Sequence, residues 1–201
     1  MRYFKIIILG FVLFSCNNQN PSKKDEAQIK NLIIQVLEWG DSKNSIGLLP
    51  VVTDSKDSVY IGFDLAAHRK NLELLKQTNF FTDEFIENYN QIILTLDKGL
   101  RNGEYDTWLV GDLPTFIFAN DYSPWWNGQE TFTLEQGTIE LISSDKNSCE
   151  YYFKCGNKEN ECEGMENYKM RFKVSKESNK WKISYLEGFE FKESTRKDGV
   201  L

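Results

Sequence analysis

Residues 121–130, DYSPWWNGQE, separate two different periodicities in the chain. Before them apolar residues recur at every third or fourth position, the spacing of helices with one buried face; after them they alternate, the spacing of half-buried strands. Pro124 and Asp121 restrict the backbone at the change, and Trp125 and Trp126, being adjacent, cannot both face the same way. Helices followed by antiparallel strands predict an α+β fold, with N-terminal helices packed on a curved antiparallel sheet.

Upstream, Ile29, Leu32, Ile33 and Val36 mark a first helix beginning at Asp25 and ended by Gly40, with Trp39 closing its buried face. Residues 41–60 hold Gly47, Pro50 and the run DSKDS, which predicts a loop with at most one short strand. A second helix is expected from an Asp64 N-cap, with Leu65, His68, Leu72 and Leu75 on one face. The third starts after Thr82, flanked by Phe81 and Ile86 as a hydrophobic staple, and Gly99 is placed to end it. Residues 103–118 contain TWLV and TFIF, short strands if they pair at all.

Downstream, five strands are expected over 131–135, 138–143, 149–155, 168–174 and 181–191. Cys149, Tyr151, Phe153 and Cys155 share one face, Tyr168, Met170, Phe172 and Val174 share another, and residues 177–180 turn the chain towards Trp181, Ile183 and Tyr185. The single α+β domain is thus set at 25–193, with residues 194–201 a frayed tail.

The N-terminus carries an address. Arg2 and Lys5 precede an apolar run, Ile6 to Phe14, that is too short to remain as a membrane span. It ends in Leu13-Phe14-Ser15-Cys16, which resembles the lipobox of bacterial lipoproteins. The resemblance implies a signal peptide over residues 1–15 and fatty acylation of Cys16, with diacylglyceryl and palmitate-type chains. Several acyl chains at about 0.8 kcal/mol per methylene hold a protein to a bilayer durably. Residues 17–24, NNQNPSKK, then form a flexible tether, and Asn17 in place of an aspartate favours the outer membrane.

Cleavage leaves 186 residues, enough for one core, and the loss of Arg2 and Lys5 takes the formal charge from −6 to −8. An acidic chain without a basic cluster lacks an electrostatic footprint for nucleic acid, and beyond its lipid it is expected to be repelled by anionic headgroups.

Chemistry is sparsely marked. His68 is the only histidine, which excludes sites needing two imidazoles. On a leucine-lined face it is either a packed residue with one hydrogen bond or an acid–base group in a pocket. No nucleophile elbow, phosphate loop or dinucleotide fingerprint is present, so no catalytic residue, cofactor or metal is assigned. In an exported chain the spacing of Cys149, Cys155 and Cys162 points to a disulfide, most easily Cys155 to Cys162 across one loop, leaving Cys149 reduced and buried. Asp121, Tyr122, Pro124, Trp125, Trp126, Gln129 and Glu130 form the candidate motif. It is either a structural turn with a buried tryptophan, or an exposed stacking surface with polar contacts at a mouth.

At this motif the chain resembles a group of bacterial envelope lipoproteins carrying a domain of unknown function. Their mark is Asp, aromatic, any residue, Pro, one or two aromatics, two small residues, Gln and an acid. FFTDEFIENYNQII is similar to that family's middle helix and KWKISYLEGF to its closing strand. The resemblance implies a cone-like, cystatin- or nuclear-transport-factor-like fold, similar to nuclear transport factor two and the ketosteroid isomerases, and no agreed activity. The leading expectation is a non-catalytic lipoprotein whose domain binds a small-molecule ligand or an envelope protein. The alternatives are a small cone-fold hydrolase, dehydratase or isomerase using His68 or Asp121, and a structural accessory subunit of an envelope complex.

Overall fold

A computed structural model describes residues 21–119, 125, 137–155 and 168–197. In chain order the elements are α1 (Lys23–Asp41), β1 (Val51–Thr53), β2 (Tyr60–Phe63), α2 (Leu65–Thr78), α3 (Asp83–Arg101), β3 (Gly137–Ser144), β4 (Ser148–Cys155), β5 (Lys169–Glu177), β6 (Lys180–Leu186) and the single turn α4 (Phe191–Ser194). The fold is α+β, with a two-stranded antiparallel sheet, β1-β2, and a four-stranded antiparallel meander, β3-β4-β5-β6.

Helix starts follow the capping chemistry. The Asp64 carboxylate accepts from the amides of Ala66 and Ala67, and the Thr82 hydroxyl accepts from that of Phe85 at 3.1 Å. Phe81, expected as the staple partner of Ile86, stacks on Phe85 with ring centroids 4.7 Å apart. α1 begins earlier than the sequence predicted: Ser22 caps it, accepting from the Asp25 amide, so residues 23 and 24 of the expected tether are helical.

Two glycines expected to end helices lie inside them. A Cβ on Gly40 would stand 2.7 Å from the Trp125 Cβ, and one on Gly99 would stand 2.3 Å from the Tyr105 ring. In both helices the small residue makes room for an aromatic side chain arriving from elsewhere, and the helix runs on to Asp41 or Arg101. Gly103, at φ +67°, supplies the left-handed residue after α3.

The loop expected over 41–60 contains both β1 and the start of β2, which pair with a register shift after Val52. Asp97 of α3 locks this hairpin. Its carboxylate, 7% exposed, accepts from the Phe63 amide at 2.7 Å and from Arg101 Nε, while Arg101 also donates to the Phe63 carbonyl. TWLV and TFIF form single bridges, Val59 to Leu109 and Phe116 to Lys197, and no strand of their own.

In the meander, alternate residues of β4 and β5 are buried: Cys149, Tyr151, Phe153 and Cys155 on one strand, Met170, Phe172 and Val174 on the next. Ser178 and Asn179, both at positive φ, make the tight turn between β5 and β6. Phe81 bridges Ile183, and α1 reaches the same strand through Asp25, which accepts from Trp181 Nε1 at 2.7 Å. β6 ends at Leu186 rather than at 191, because Gly188 at φ +93° turns the chain into α4. Nor does the chain fray at 194: Ser194 is buried, and the carbonyls of Ser194 and Arg196 accept from Phe118 and Ile117. The strand expected over 131–135 lies outside the described residues.

Candidate functional site

On the face of the sheet opposite the core, a groove of about 560 Å³ runs from β4 across β5 and β6 to the first turns of α3. It exists because of a bulge. Val174 pairs with Ile183 and Lys173 with Tyr185, so Ser184 is an extra residue on β6. Without it Tyr185 would follow Trp181 and Ile183 onto one face, as the alternation predicts; the insertion turns Tyr185 outward beside Lys173 and lets Leu186 take the core position.

The floor is charged and mostly committed. Arg171 binds Glu150 at 2.9 Å, lies 5.5 Å over the Tyr185 ring, and its amide donates to the Glu187 carboxylate. Tyr185 donates its hydroxyl hydrogen to Glu190, whose other oxygen accepts from the Gly188 amide at 3.0 Å. Ser175 and Ser184 share a hydrogen bond of 2.9 Å, and Asn88 donates to the Phe189 carbonyl. Lys173 differs: among the described residues its ammonium has no ion pair, although it is exposed on the groove floor. Phe191, 43% exposed, sets an aromatic ring at the rim. The arrangement offers a ligand a cation with no ion pair among the described residues, an aromatic–guanidinium stack and an exposed apolar ring.

Of the residues singled out in the sequence, Trp125, His68, Cys149 and Cys155 do not line the groove. Trp125 is buried, 4% exposed, against Trp39, Phe81 and Phe189, with Nε1 donating to the Ile46 carbonyl at 3.4 Å. Of the two readings of the motif, this tryptophan follows the structural one. Asp121, Tyr122, Pro124, Trp126, Gln129 and Glu130 lie outside the described residues, as do Cys16 and Cys162. Cys155 ends β4 in a buried position, and Cys149 is a buried free thiol pushed up to about 11, chiefly by burial.

His68 packs between α2 and α3, away from the groove. Its Nε2 faces Asn90 Oδ1 at 3.1 Å and its ring meets Tyr89 edge-on. Nδ1 is buried with no partner among the described residues, and burial, opposed by the Asn90 hydrogen bond, holds the imidazole below its ordinary value. That is the packed histidine with one hydrogen bond. Among the described residues no group of three or more His, Cys, Asp or Glu side chains could hold a metal ion, and no helix is long and apolar enough to cross a membrane.

The groove was not legible beforehand. Lys169, Arg171 and Lys173 mark a polar strand face, but only the Ser184 bulge brings an aromatic ring onto it, and nothing in KWKISYLEGF announces a bulge. No family model matches this chain, and no curated protein matches it.

Proposed function

We propose that this is a bacterial envelope lipoprotein, exported, acylated on Cys16 and held by that lipid to the outer membrane, whose domain binds a small ligand or a protein partner without catalysing a reaction. The Leu13-to-Cys16 lipobox and the charged, apolar leader support the anchor. A cone-like closure of helices over the sheet, similar to nuclear transport factor two, and a Cys155–Cys162 disulfide belong to the same reading. The observation that carries the binding role is the groove, with the uncommitted Lys173 ammonium on its floor and Phe191 at its rim.

The test uses Lys173→Glu and Phe191→Ala, two exposed positions where substitution leaves the core alone. Chemical cross-linking in native membranes should yield an adduct that both variants lose while melting as the wild type does. Identical adducts from all three proteins would remove the groove from the reading. Cys16→Ser tests the anchor separately: it should abolish fatty-acid labelling and release the chain from membranes, and unchanged labelling would refute acylation at that residue.

A further inference from the structure

The point where the chain enters the domain fixes which end of it meets the membrane. Cys16 lies six residues before the Ser22 cap of α1, and six residues span at most about 20 Å. If Cys16 carries the lipid, as proposed above, the start of α1 cannot stand further than that from the headgroups.

The hydrogen bonds show what surrounds this point. Trp181 Nε1 donates to Asp25, Lys176 pairs with the same carboxylate at 3.2 Å, and the Lys176 amide donates to the Asn147 carbonyl. The start of α1, the β3–β4 turn and the β5–β6 turn therefore form one end of the molecule. That end is lysine-rich. Lys23, Lys24, Lys146 and Lys180 are exposed there, and none has an ion pair among the described residues. Three of the nearby carboxylates are neutralised: Asp25 by Lys176, Glu26 by Lys30 and Glu177 by Lys182. Asp145 remains within the patch, and Asp83 and Glu84 lie at its margin, where α3 begins. In a chain of net charge −6 this end thus carries four ammonium groups without an ion pair among the described residues against the one carboxylate of Asp145 within the patch.

We propose that this end, through Lys23, Lys24, Lys146 and Lys180, rests on the phospholipid surface and meets its anionic headgroups. The repulsion expected from the chain's overall charge is then avoided by orientation, because headgroup attraction decays within a Debye length and reaches only the near end. Lys98 in the last turn of α3, and Lys56 in the turn of the β1–β2 hairpin whose other end, at Phe63, Asp97 ties to that part of α3, serve as reference positions away from this end.

The experiment reconstitutes the full membrane-extracted chain into vesicles of phosphatidylethanolamine and phosphatidylglycerol, then reads lysine acylation by peptide mass against the same protein in detergent. Labelling of Lys146 and Lys180 should fall about fivefold, the equivalent of the roughly 1 kcal/mol that one lysine gains at an anionic surface, while Lys56 and Lys98 stay unchanged. High salt should restore it, and Lys146→Glu with Lys180→Glu should return the protection of Lys23 and Lys24 to the detergent level. Equal labelling at both ends of a chain that floats with the vesicles overturns the membrane-facing end and leaves the anchor standing. Failure to float overturns the anchor and this proposal together. Protection in native membranes but not in these vesicles would show that a protein, not lipid, covers the end, and would also overturn it.

Discussion

Replacing Trp125 tests whether the stretch at the change of periodicity holds helices and sheet together. The indole is 4% exposed and touches three aromatic rings from separate parts of the chain: Trp39 at 4.9 Å, Phe189 at 5.7 Å and Phe81 at 5.8 Å between centroids. A buried aromatic side chain removes about 150–250 Å² from water, or roughly 4–6 kcal/mol at 25 cal/mol per Å². Truncations at such sites cost about 3–5 kcal/mol, so Trp125→Ala should lose that much in urea unfolding followed by far-ultraviolet circular dichroism. Gly40 gives an independent check on the same contact. Gly40→Ala should gain up to about 1 kcal/mol of helix propensity, yet its new Cβ would stand 2.7 Å from that of Trp125, and overpacking costs about 1–3 kcal/mol. The net effect should be destabilising. Because the nearest atom is the tryptophan's own Cβ, Trp125→Ala should not cure it, whereas in a Trp125→Gly background Gly40→Ala should become neutral or stabilising. A Trp125→Ala protein within about 1 kcal/mol of wild type would refute the reasoning, because a residue packed this way cannot be removed at so small a cost.

Asp97→Ala should destabilise by about 1–3 kcal/mol in the same unfolding assay, because it orphans the buried Phe63 amide; Arg101→Ala should cost less, since that side chain is 47% exposed. For His68, burial keeps the folded imidazole below its ordinary value of 6.5, so its contribution to stability is complete above that pH and is lost as pH falls through the folded value. Unfolding midpoints measured from pH 7.5 downward should decline just below 6.5 in the wild type and not in His68→Gln. A decline unchanged in the variant would assign it to other groups. Peptide mass mapping without reductant should show Cys155 joined to Cys162, a bond worth roughly 2–3 kcal/mol for so short a loop. Cys149, buried and pushed up to about 11, should resist alkylation until the protein unfolds.

What could be read from the sequence was whatever depends on neighbouring residues alone. The Asp64 and Thr82 caps, the two-residue period of β4 and the Ser178-Asn179 turn need only a few adjacent side chains to specify them, and each lies where its local chemistry puts it. Misreadings arose where a distant side chain decides the local outcome. Gly40 and Gly99 carry the usual signal of a helix end, but each is small because Trp125 or Tyr105 arrives against it: Trp125 lies far outside any window around Gly40, and Tyr105, though close in the chain to Gly99, meets it only because the chain folds back after α3. The groove has the same origin. Lys173 and Tyr185 are twelve positions apart, and they share a face only because Ser184 is unpaired on β6 while Phe80 and Thr82 fix Ile183 by backbone hydrogen bonds on its other side. With Ile183 pinned in the core and Leu186 drawn in behind it, one residue between them must be surplus, and the surplus turns Tyr185 outward. The polar face of the sheet therefore acquires its aromatic ring as a consequence of how the core closes, so deleting Ser184 to relieve the bulge should erase the groove while leaving Lys173, Arg171 and Phe191 unchanged in the chain.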